Sequence, residues 1–320
     1  MKVIERIIYA IVVTVLLVGQ VACEQVSGNN NSGPVAGKPD DQEKPVTLMQ
    51  RIREACPSIT TLIGERTEET FPGVKLTEAD FKCRANPNHI FILEIDMTSD
   101  VTLRACTPDD MPVSGKAQDM LEQAKTVQAN GTEVYYGVNG DFFGNYRGDG
   151  TLISMGVVYV DGKAYQSSHY GGSENVLYVR NDGSVEIGKY KAFNADLSEV
   201  KTAIGGYHTL VWDGVKASIP NDNLGEGLHP RTFAGVSKDR KKVYLFVVDG
   251  RQKGYSVGLN LSDVADICMG AGCDRAFNLD GGGSTTLIVQ DGSYGFRLLN
   301  KPSDSGVPRK VGNGLLVVRK

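Results

Sequence analysis

The chain has 320 residues, of which 41% are hydrophobic and 22% charged, as is usual for a soluble globular protein. Its net charge of -4 leaves no basic footprint, which argues against nucleic acid as a partner. Glycine is abundant, with 38 residues and no collagen-like period, so we expect many tight turns.

The N-terminus is predicted to be an export signal over residues 1–22. Lys2 and Arg6 supply positive charge, and the apolar run over 7–18 is shorter than a comfortable membrane span but suits a signal peptide. Cys23 follows a small residue, a pattern that resembles a lipoprotein lipobox. We therefore expect lipidation of Cys23 and attachment to the membrane of a bacterial cell envelope, on its periplasmic or surface side. Ordinary secretion with cleavage nearby is the alternative.

Three further segments follow. Residues 23–44 are rich in Asn, Gly, Ser and Pro and nearly free of large apolar side chains, which predicts a flexible tether. Residues 45–85 are expected to form an N-terminal appendage with short helical stretches over 47–81. The main domain is predicted to span 86–320.

Five cysteines remain if Cys23 is lipidated, and an oxidising compartment permits disulfides. Their odd number implies a free thiol or an intermolecular pair. Cys268 with Cys273, around the end of a helix, and Cys83 with Cys106, between neighbouring strands, are the two pairings considered. No CxxC occurs, which argues against a zinc or redox site.

Hydrophobic periodicity predicts helices and strands along the main domain. Helices are expected over 117–128 and 261–270, the latter capped by Ser262 or Asp263, and strands over 89–96, 101–104, 133–139, 242–249, 276–279 and 315–318. The strand at 101–104 is expected to pair with a strand nearby. Asp-Gly pairs, a strong hairpin signal, separate apolar runs at 161–162, 182–183, 213–214 and 291–292. The fold class is therefore α+β, with β-rich, largely antiparallel sheets and a few packed helices.

Three short segments place polar side chains where a strand ends or begins. In the first, Asn139 and Asp141 end a strand, and two aromatics follow that could line a sugar-sized pocket. In the second, His229 and Arg231 precede an apolar strand. In the third, a carboxylate and a guanidinium, Asp249 and Arg251, leave a very apolar strand. The planar fork of arginine suits phosphate, although each motif alone is more often a turn or a surface ion pair.

The segment Asn278-Leu279-Asp280-Gly281-Gly282-Gly283-Ser284-Thr285 is the most informative. Three consecutive glycines are costly in conformational entropy, yet they let backbone amides approach an anion closely. The Gly-Lys-Ser/Thr ending of a Walker loop is absent. Neither HExxH nor Gly-x-Ser-x-Gly occurs in the chain, which argues against a standard metalloprotease or serine hydrolase.

Together these motifs resemble the phosphodiester glycosidase family. The resemblance rests on Asn-Gly-x-Phe-Phe, His-Pro-Arg-Thr-x-x-Gly-Val, Val-Val-Asp-Gly-Arg and Asn-Leu-Asp-Gly-Gly-Gly-Ser-Thr-Thr in this order, and covers roughly 128–318. Phe233 stands where a small residue is more usual, and Lys301 where Arg is. The resemblance implies hydrolysis of the bond between a sugar's anomeric carbon and a phosphodiester oxygen, with a glycan or sugar phosphodiester as substrate.

On this resemblance the sequence assigns roles to the motif residues. The catalytic candidates are Asp141, Asp249, Asp280, Arg231 and His229. The substrate-binding candidates are Asn139, Arg251, Asn278, Gly281, Gly282, Gly283, Ser284, Thr285 and Asn300. The arginines and glycine amides are expected to hold phosphate, and the aspartates to face the sugar as nucleophile, base or cation stabiliser.

Three questions stay open at this stage. The separation of the carboxylates, which divides retaining from inverting enzymes, cannot be read from the sequence. A divalent cation such as calcium, held by clustered carboxylates and carbonyls, is also left open. The alternative functions are a non-catalytic glycan-binding envelope protein, with Phe142 and Phe143 as a sugar platform, and a metal-dependent phosphodiesterase that cleaves the P–O bond.

Overall fold

The computed structural model describes residues 45–112, 115–146, 148–166, 174–193, 197–292 and 295–320. Pro45–Lys320 forms one compact unit. The predicted signal peptide, Cys23 and the tether lie outside the described residues. No described helix has the length and apolar character needed to span a membrane.

Strands dominate the described residues. The helices are α1 (Leu48–Ala55), α2 (Met120–Ala129), α3 (Tyr190–Phe193), α4 (Asn223–Glu226) and α5 (Leu261–Ala271), with 3₁₀ turns at Pro108–Asp110 and Gly282–Ser284. The strands up to the middle of the chain are β1 (Ile59–Phe71), β2 (Val74–Cys83), β3 (Asn86–Asp96), β4 (Val101–Cys106), β5 (Val134–Asn139), β6 (Phe143–Gly144), β7 (Ile153–Ser154), β8 (Val158–Val160), β9 (Lys163–Gln166), β10 (Asn175–Arg180) and β11 (Val185–Lys189). The later strands are β12 (Val200–Trp212), β13 (Val215–Lys216), β14 (Arg231–Ser237), β15 (Lys242–Val248), β16 (Cys273–Asn278), β17 (Leu287–Asp291), β18 (Gly295–Leu298) and β19 (Gly314–Arg319).

Two antiparallel sheets form the body of the fold. The larger has twelve strands, with the order β1-β2-β3-β15-β14-β16-β12-β10-β11 and the short strands β8, β9 and β13 beside β12. The smaller has five strands, in the order β18-β17-β5-β19-β4. The predicted α+β class with largely antiparallel sheets is therefore confirmed.

The hydrophobic core has three layers. One cluster lies between the two sheets and joins residues such as Leu93 and Leu245 of the larger sheet to Val138 and Val317 of the smaller. A second lies on the outer face of the larger sheet, where α1 and α5 pack. A third lies under α2, on the outer face of the smaller sheet. This helix–sheet–sheet–helix stack leaves the strand ends free to carry polar groups.

All four predicted Asp-Gly turns join neighbouring antiparallel strands, β8 to β9, β10 to β11, β12 to β13 and β17 to β18. Asp161 and Gly162 have φ of 49° and 76°, and Asp213 and Gly214 have 51° and 76°. Both residues of these two pairs thus have the positive φ that a type I′ turn requires, whereas in the other two turns only Gly183 and Gly292 have it. Local backbone chemistry alone was enough to predict these hairpins.

The N-terminal part of the unit differs from the prediction. Residues 47–81 hold one helix, α1, followed by the long hairpin of β1 and β2, which extends the larger sheet through β3. The expectation of short helical stretches there is wrong beyond α1. Most side chains of β1 are exposed and many are charged or Thr, so the alternation that marks a half-buried strand is absent.

Three local expectations are also corrected. β4 pairs with β19 in the smaller sheet and not with the preceding strand, because the chain crosses between sheets after β3. Asn260 caps α5 by accepting a hydrogen bond from the amide of Asp263, so neither Ser262 nor Asp263 is the cap. Every described cysteine is a free thiol, and neither disulfide considered above is formed.

Candidate active site

Antiparallel pairing brings the polar segments together at one end of the larger sheet. β14 pairs with β15 on one side and β16 on the other, opposing Arg231 to Val248 and Phe233 to Asn278. The start of β14 therefore lies beside the carboxyl ends of β15 and β16. A backbone hydrogen bond ties this point to the smaller sheet, because the Asp280 amide donates to the carbonyl of Gly140, just after the end of β5.

A cleft of about 260 Å³ opens at this junction. It is lined by Phe142, Asn223, Leu224, His229, Arg231, Arg251, Asn278, Asp280, Gly281, Gly282, Gly283 and Arg309. Eight of the predicted site residues are in this set. The cleft thus combines three guanidinium groups with a single carboxylate, a composition suited to a doubly charged or diester anion.

Arg231 is a buried cation that makes no ion pair with a carboxylate among the described residues. Only 1% of its surface is exposed. Its Nε donates to the carbonyl of Leu259 at 2.9 Å, and its Nη2 donates to the carbonyls of Leu224 and Gly227 at 2.7 and 2.8 Å. Its Nη1 donates to no residue that the structure describes. Burial, and then the nearby charge of Arg251, lower the pKa of Arg231 to about 10. A buried charge of this kind requires a counter-ion, so an anion in the cleft would supply what the protein lacks.

Arg251 and His229 form a pair at the mouth of the cleft. Arg251 Nη2 lies 3.3 Å from His229 Nδ1, and His229 Nε2 lies 3.2 Å from the carbonyl oxygen of Asn223. A guanidinium can only donate and a carbonyl can only accept, so His229 is neutral with its proton on Nε2. Burial and the two arginines lower the pKa of His229, in agreement with this state. The imidazole therefore orients Arg251.

Arg309 is the third guanidinium, and the sequence prediction missed it. It donates from Nε and Nη2 to one oxygen of Asp304, at 3.1 and 2.9 Å. A Cβ at Gly283 would overlap Arg309 and Asp304. The positive charge of Arg309 also lowers the pKa of Asp280. Its sequence signal was weak, because it stands in a polar segment where basic residues are common.

Asp280 is the carboxylate that the cleft presents. Burial raises its pKa to about 6, against the opposing effects of the Ser284 hydroxyl, the Gly281 amide and Arg309. Its Oδ1 accepts the Gly281 amide at 2.8 Å. At neutral pH the group is mostly ionised, yet it is easily protonated. Such a tuned carboxylate is suited to nucleophilic, basic or cation-stabilising work.

The three consecutive glycines are needed for a different reason from the predicted binding of an anion by their amides. Two of their amides are committed to the protein, Gly281 to Asp280 and Gly282 to the carbonyl of Pro230. A Cβ at Gly281 would lie 2.7 Å from the Pro230 oxygen, and one at Gly282, whose φ is +63°, would lie 3.1 Å from the Arg251 guanidinium. An anion nest of three free amides is therefore not formed. The missing side chains instead make room for arginines.

Asn278 carries an unsatisfied acceptor in the cleft lining. It is 1% exposed, and its Oδ1 has no hydrogen-bond partner among the described residues. A buried unpaired polar atom costs about 1–3 kcal/mol. A donor such as a sugar hydroxyl would satisfy it, as the sequence interpretation expected.

Two predicted catalytic carboxylates, Asp141 and Asp249, do not line the cleft. The oxygens of Asp141 accept the amides of Phe142 and Gly156 at 2.8 and 2.7 Å, which closes the loop between them. Asp249 accepts from Asn300 Nδ2, the Lys301 amide and the Tyr255 hydroxyl, at 3.0, 3.0 and 2.9 Å. Both are almost fully buried. Their contacts indicate that they hold loops in place.

The remaining residues predicted to bind substrate lie behind the cleft lining. Asn139 donates to the Asp280 carbonyl at 2.6 Å and accepts from the Thr232 hydroxyl at 2.6 Å, which joins the glycine segment to two strands. Asn300 donates to the Thr285 carbonyl at 3.1 Å and accepts the Leu287 amide at 2.7 Å. Ser284 and Thr285 are buried and are not in the cleft lining. Asn139 and Asn300 thus position the glycine segment, whereas the hydroxyls of Ser284 and Thr285 have no hydrogen-bond partner among the described residues.

Across the described ranges, no three His, Cys, Asp or Glu side chains converge to hold a metal ion. The divalent cation that the sequence left open therefore has no carboxylate cluster to bind it in this part of the chain. The charge of an anionic ligand is matched here by arginine.

A model of the phosphodiester glycosidase family matches residues 132–318, more than half of the chain. The chain belongs to the phosphodiester glycosidase family. The matched range includes the strands and loops that build the cleft, and the resemblance drawn from the motifs is confirmed.

Two solved structures share the fold of this member of the phosphodiester glycosidase family. The zebrafish N-acetylglucosamine-1-phosphodiester alpha-N-acetylglucosaminidase catalytic domain, auto-inhibited by its pro-peptide, is similar with a TM-score of 0.62 and 20% identity, over 84% of this chain and 93% of that one. A hypothetical protein from Synechocystis is similar with a TM-score of 0.55 and 14% identity, over 81% and 64%. The SPbeta prophage-derived uncharacterized protein YomE of Bacillus subtilis strain 168 is 31% identical over 175 residues. That match spans 52% of this chain and 25% of the relative.

Proposed function

We propose that this protein hydrolyses the bond between the anomeric carbon of a sugar and the oxygen of its 1-phosphodiester, with N-acetylglucosamine-type or related glycan phosphodiesters as substrates. The observation that carries the proposal is the buried Arg231, which faces the cleft without a carboxylate partner and shares it with Asp280. Family membership supports the reaction class, and the name of the zebrafish enzyme supplies the substrate class proposed here.

The proposed mechanism divides the cleft between leaving group and sugar. Arg231, Arg251 and Arg309 neutralise the phosphate as the glycosidic bond breaks, which lowers the barrier by stabilising charge that grows in the transition state. A phosphate monoester leaves readily, so protonation by a general acid is dispensable. This agrees with a lining set that holds one carboxylate where ordinary glycosidases use two.

Asp280 faces the sugar in this mechanism. Its ionised form stabilises the oxocarbenium-like carbon, either by attack or by activating water. Arg309 and the Gly281 amide favour ionisation, while burial opposes it, so the carboxylate is less solvated and more reactive than an exposed one. Asn278 Oδ1 accepts a hydrogen bond from a sugar hydroxyl.

A turnover assay tests the proposal. The mature protein is offered α-N-acetylglucosamine 1-phosphodiesters and a panel of other sugar-1-phosphodiesters, and free sugar is measured. The variants D280N and R231A should lose turnover on whichever substrate is cleaved. R66A is the matched control, since Arg66 is exposed on β1 and makes surface ion pairs only. Full turnover by D280N and R231A, or binding without turnover by the unmodified protein, would overturn the assignment.

We also propose that the protein is exported and held at the cell envelope by a lipid on Cys23. The support is the charged start, the apolar run over 7–18 and the polar stretch over 24–44. Cell fractionation tests this. The unmodified protein should sediment with membranes and C23S should not, while retention of C23S on membranes would argue against the anchor.

A further inference from the structure

His208 has an unusual backbone conformation and no role in the proposed mechanism. It has φ of +44°, a left-handed conformation that is strained for a residue other than glycine. It is only 6% exposed, and its Nε2 is buried with no hydrogen-bond partner among the described residues. Such a combination of strain and an unpaired polar atom is costly, and it is found mostly at functional sites.

The sheet explains how His208 reaches this state. β12 opposes Tyr207 to Asn278 and Thr209 to Phe277 of β16, so His208 is an extra residue in a bulge between the two pairs. Bulges of this kind redirect a side chain and often lie beside active sites.

The bulge lies behind the wall of the cleft, because Tyr207 pairs with Asn278 of the lining, although neither Tyr207 nor His208 is itself a lining residue. β14, β16 and β12 are adjacent in that order, and they contribute Arg231, Asn278 and His208. The His208 ring lies 4.0 Å from the Tyr207 ring, which in turn makes an edge contact at 6.1 Å with Phe142 of the cleft lining. The charge of Arg231 is close enough to lower the pKa of His208. Each of the three strands thus contributes a side chain with a polar atom that has no partner in the described part of the chain.

The other charges around His208 do not pair with it. Asp222, which caps α4, and Glu174 both raise its pKa, but burial outweighs them and lowers it overall. The ring is therefore neutral at neutral pH. A neutral imidazole offers one donor and one acceptor, the two roles that a hydroxyl or an acetamido group can complement.

We propose that His208 is a substrate-contacting residue that recognises the sugar, with its Nε2 hydrogen bonded to a hydroxyl or acetamido group on the β12 side of the cleft, next to the sugar contact of Asn278 Oδ1. The inference deepens the proposed function, on which it rests, by assigning the sugar half of the same site. The arginines recognise the phosphate, and His208 selects the sugar.

Substitution by Asn and Gln separates recognition from a structural role. Asn tolerates a left-handed φ better than His, so H208N should be folded at least as stably as the unmodified protein. Its short amide cannot reach the position of Nε2, whereas the longer amide of Gln can. We expect kcat/KM for the sugar phosphodiester to fall about 10-fold in H208N, the effect of one lost hydrogen bond, and to recover in H208Q. The inhibition constant of inorganic phosphate should not change in either variant.

D213N is the matched control. Asp213 is also left-handed, at φ +51°, and lies just beyond the far end of β12 in an exposed turn. The activity of D213N should equal that of the unmodified protein. Equal kcat/KM in H208N and D213N, or a phosphate inhibition constant that shifts with H208N, would overturn the assignment of His208 to the sugar.

A series of deoxy-sugar substrates identifies the group contacted. The unmodified protein should discriminate against one deoxy analogue, and H208N should not. If no phosphodiester is cleaved at all, the proposed function fails, and calorimetric binding of free N-acetylglucosamine then decides the inference separately. Binding that is weakened in H208N and restored in H208Q would uphold it. Binding that is equal in all three proteins, or undetectable in the unmodified protein, would contradict it.

Discussion

The guanidinium of Arg309 occupies the space beside Gly283 that any larger side chain would need. Arg251 has a similar relationship with Gly282, where an added Cβ would lie 3.1 Å from the guanidinium. The glycine segment and the arginines are therefore complementary parts of one wall. The absence of side chains at the glycines allows positive charge to lie directly over the backbone.

A methyl group at Gly283 should therefore displace Arg309. We expect G283A to lower kcat/KM by about 10²-fold, the scale of losing one charge-stabilising donor. Steady-state kinetics measure the effect, and a rise in the inhibition constant of inorganic phosphate should accompany it. G64A is the matched control, because a Cβ at Gly64 meets nothing within 4 Å. Equal losses in the two variants would show that the effect is not specific to the cleft.

Substitution of Arg231 by lysine should affect both activity and stability. Lysine cannot reproduce the fork that contacts the carbonyls of Leu259, Leu224 and Gly227. We expect R231K to lose about 10²–10³-fold in kcat/KM and about 1–3 kcal/mol in the free energy of unfolding, since buried carbonyls lose donors. Kinetics and denaturant unfolding measure the two effects. An unchanged phosphate inhibition constant would refute a phosphate-binding role.

The activity should depend on the ionisation of Asp280. Because burial raises its pKa to about 6, kcat/KM should be constant at neutral pH and fall as the pH drops through about 6. The acid limb should remain in H229N, since His229 serves to orient Arg251 and is not the titrating group. A profile that stays flat to pH 4 would exclude Asp280 as the group that must be ionised.

The same raised pKa predicts a cost in stability. The native state binds a proton on Asp280 more tightly than the unfolded state, so stability contributed by this group is present at low pH and is lost as the pH rises from about 4 to 6. D280N removes the ionisation, and should raise the free energy of unfolding at neutral pH by at most about 3 kcal/mol. The gain should vanish below pH 4. Denaturant unfolding at both pH values checks it, and a destabilised D280N at neutral pH would contradict the account.

Asp249 should respond differently to the same substitution, although burial raises its pKa as well. Its oxygens accept hydrogen bonds from Asn300, Lys301 and Tyr255, and replacing one oxygen by an amide group puts a donor where donors already point. D249N should therefore lose about 1–3 kcal/mol of stability, while the folded fraction keeps phosphate binding. Unfolding and calorimetry measure the two quantities. If D249N kept full stability but lost turnover, Asp249 would be a catalytic residue, as the sequence predicted.

Local chemistry made much of the fold predictable. The Asp-Gly pairs predicted four hairpins, and two of them, at 161–162 and 213–214, have the positive φ at both residues that the pair favours. The buried strand β15 is marked by its apolar run. The hairpin of β1 and β2 was missed because β1 exposes polar and charged side chains on most positions. The pairing of β4 was missed because partner choice depends on a crossover between sheets, which no local pattern records.

The candidate site was predictable in part for a similar reason. Motifs at strand ends identified Arg231, Arg251 and Asp280, since antiparallel pairing brings those ends together. The sequence does not show which carboxylate keeps an oxygen free, so Asp141 and Asp249 were grouped with Asp280. Their oxygens accept hydrogen bonds from nearby residues such as Phe142 and Tyr255 and from residues farther along the chain such as Gly156 and Asn300.

The central claim is that the arginines hold a departing phosphate while water adds to the sugar. Hydrolysis of an α-N-acetylglucosamine 1-phosphodiester in ¹⁸O-labelled water, followed by mass spectrometry of both products, tests it most directly. Cleavage of the C–O bond predicts the label in the sugar and none in the phosphate. Label in the phosphate would show cleavage of the P–O bond and contradict the account.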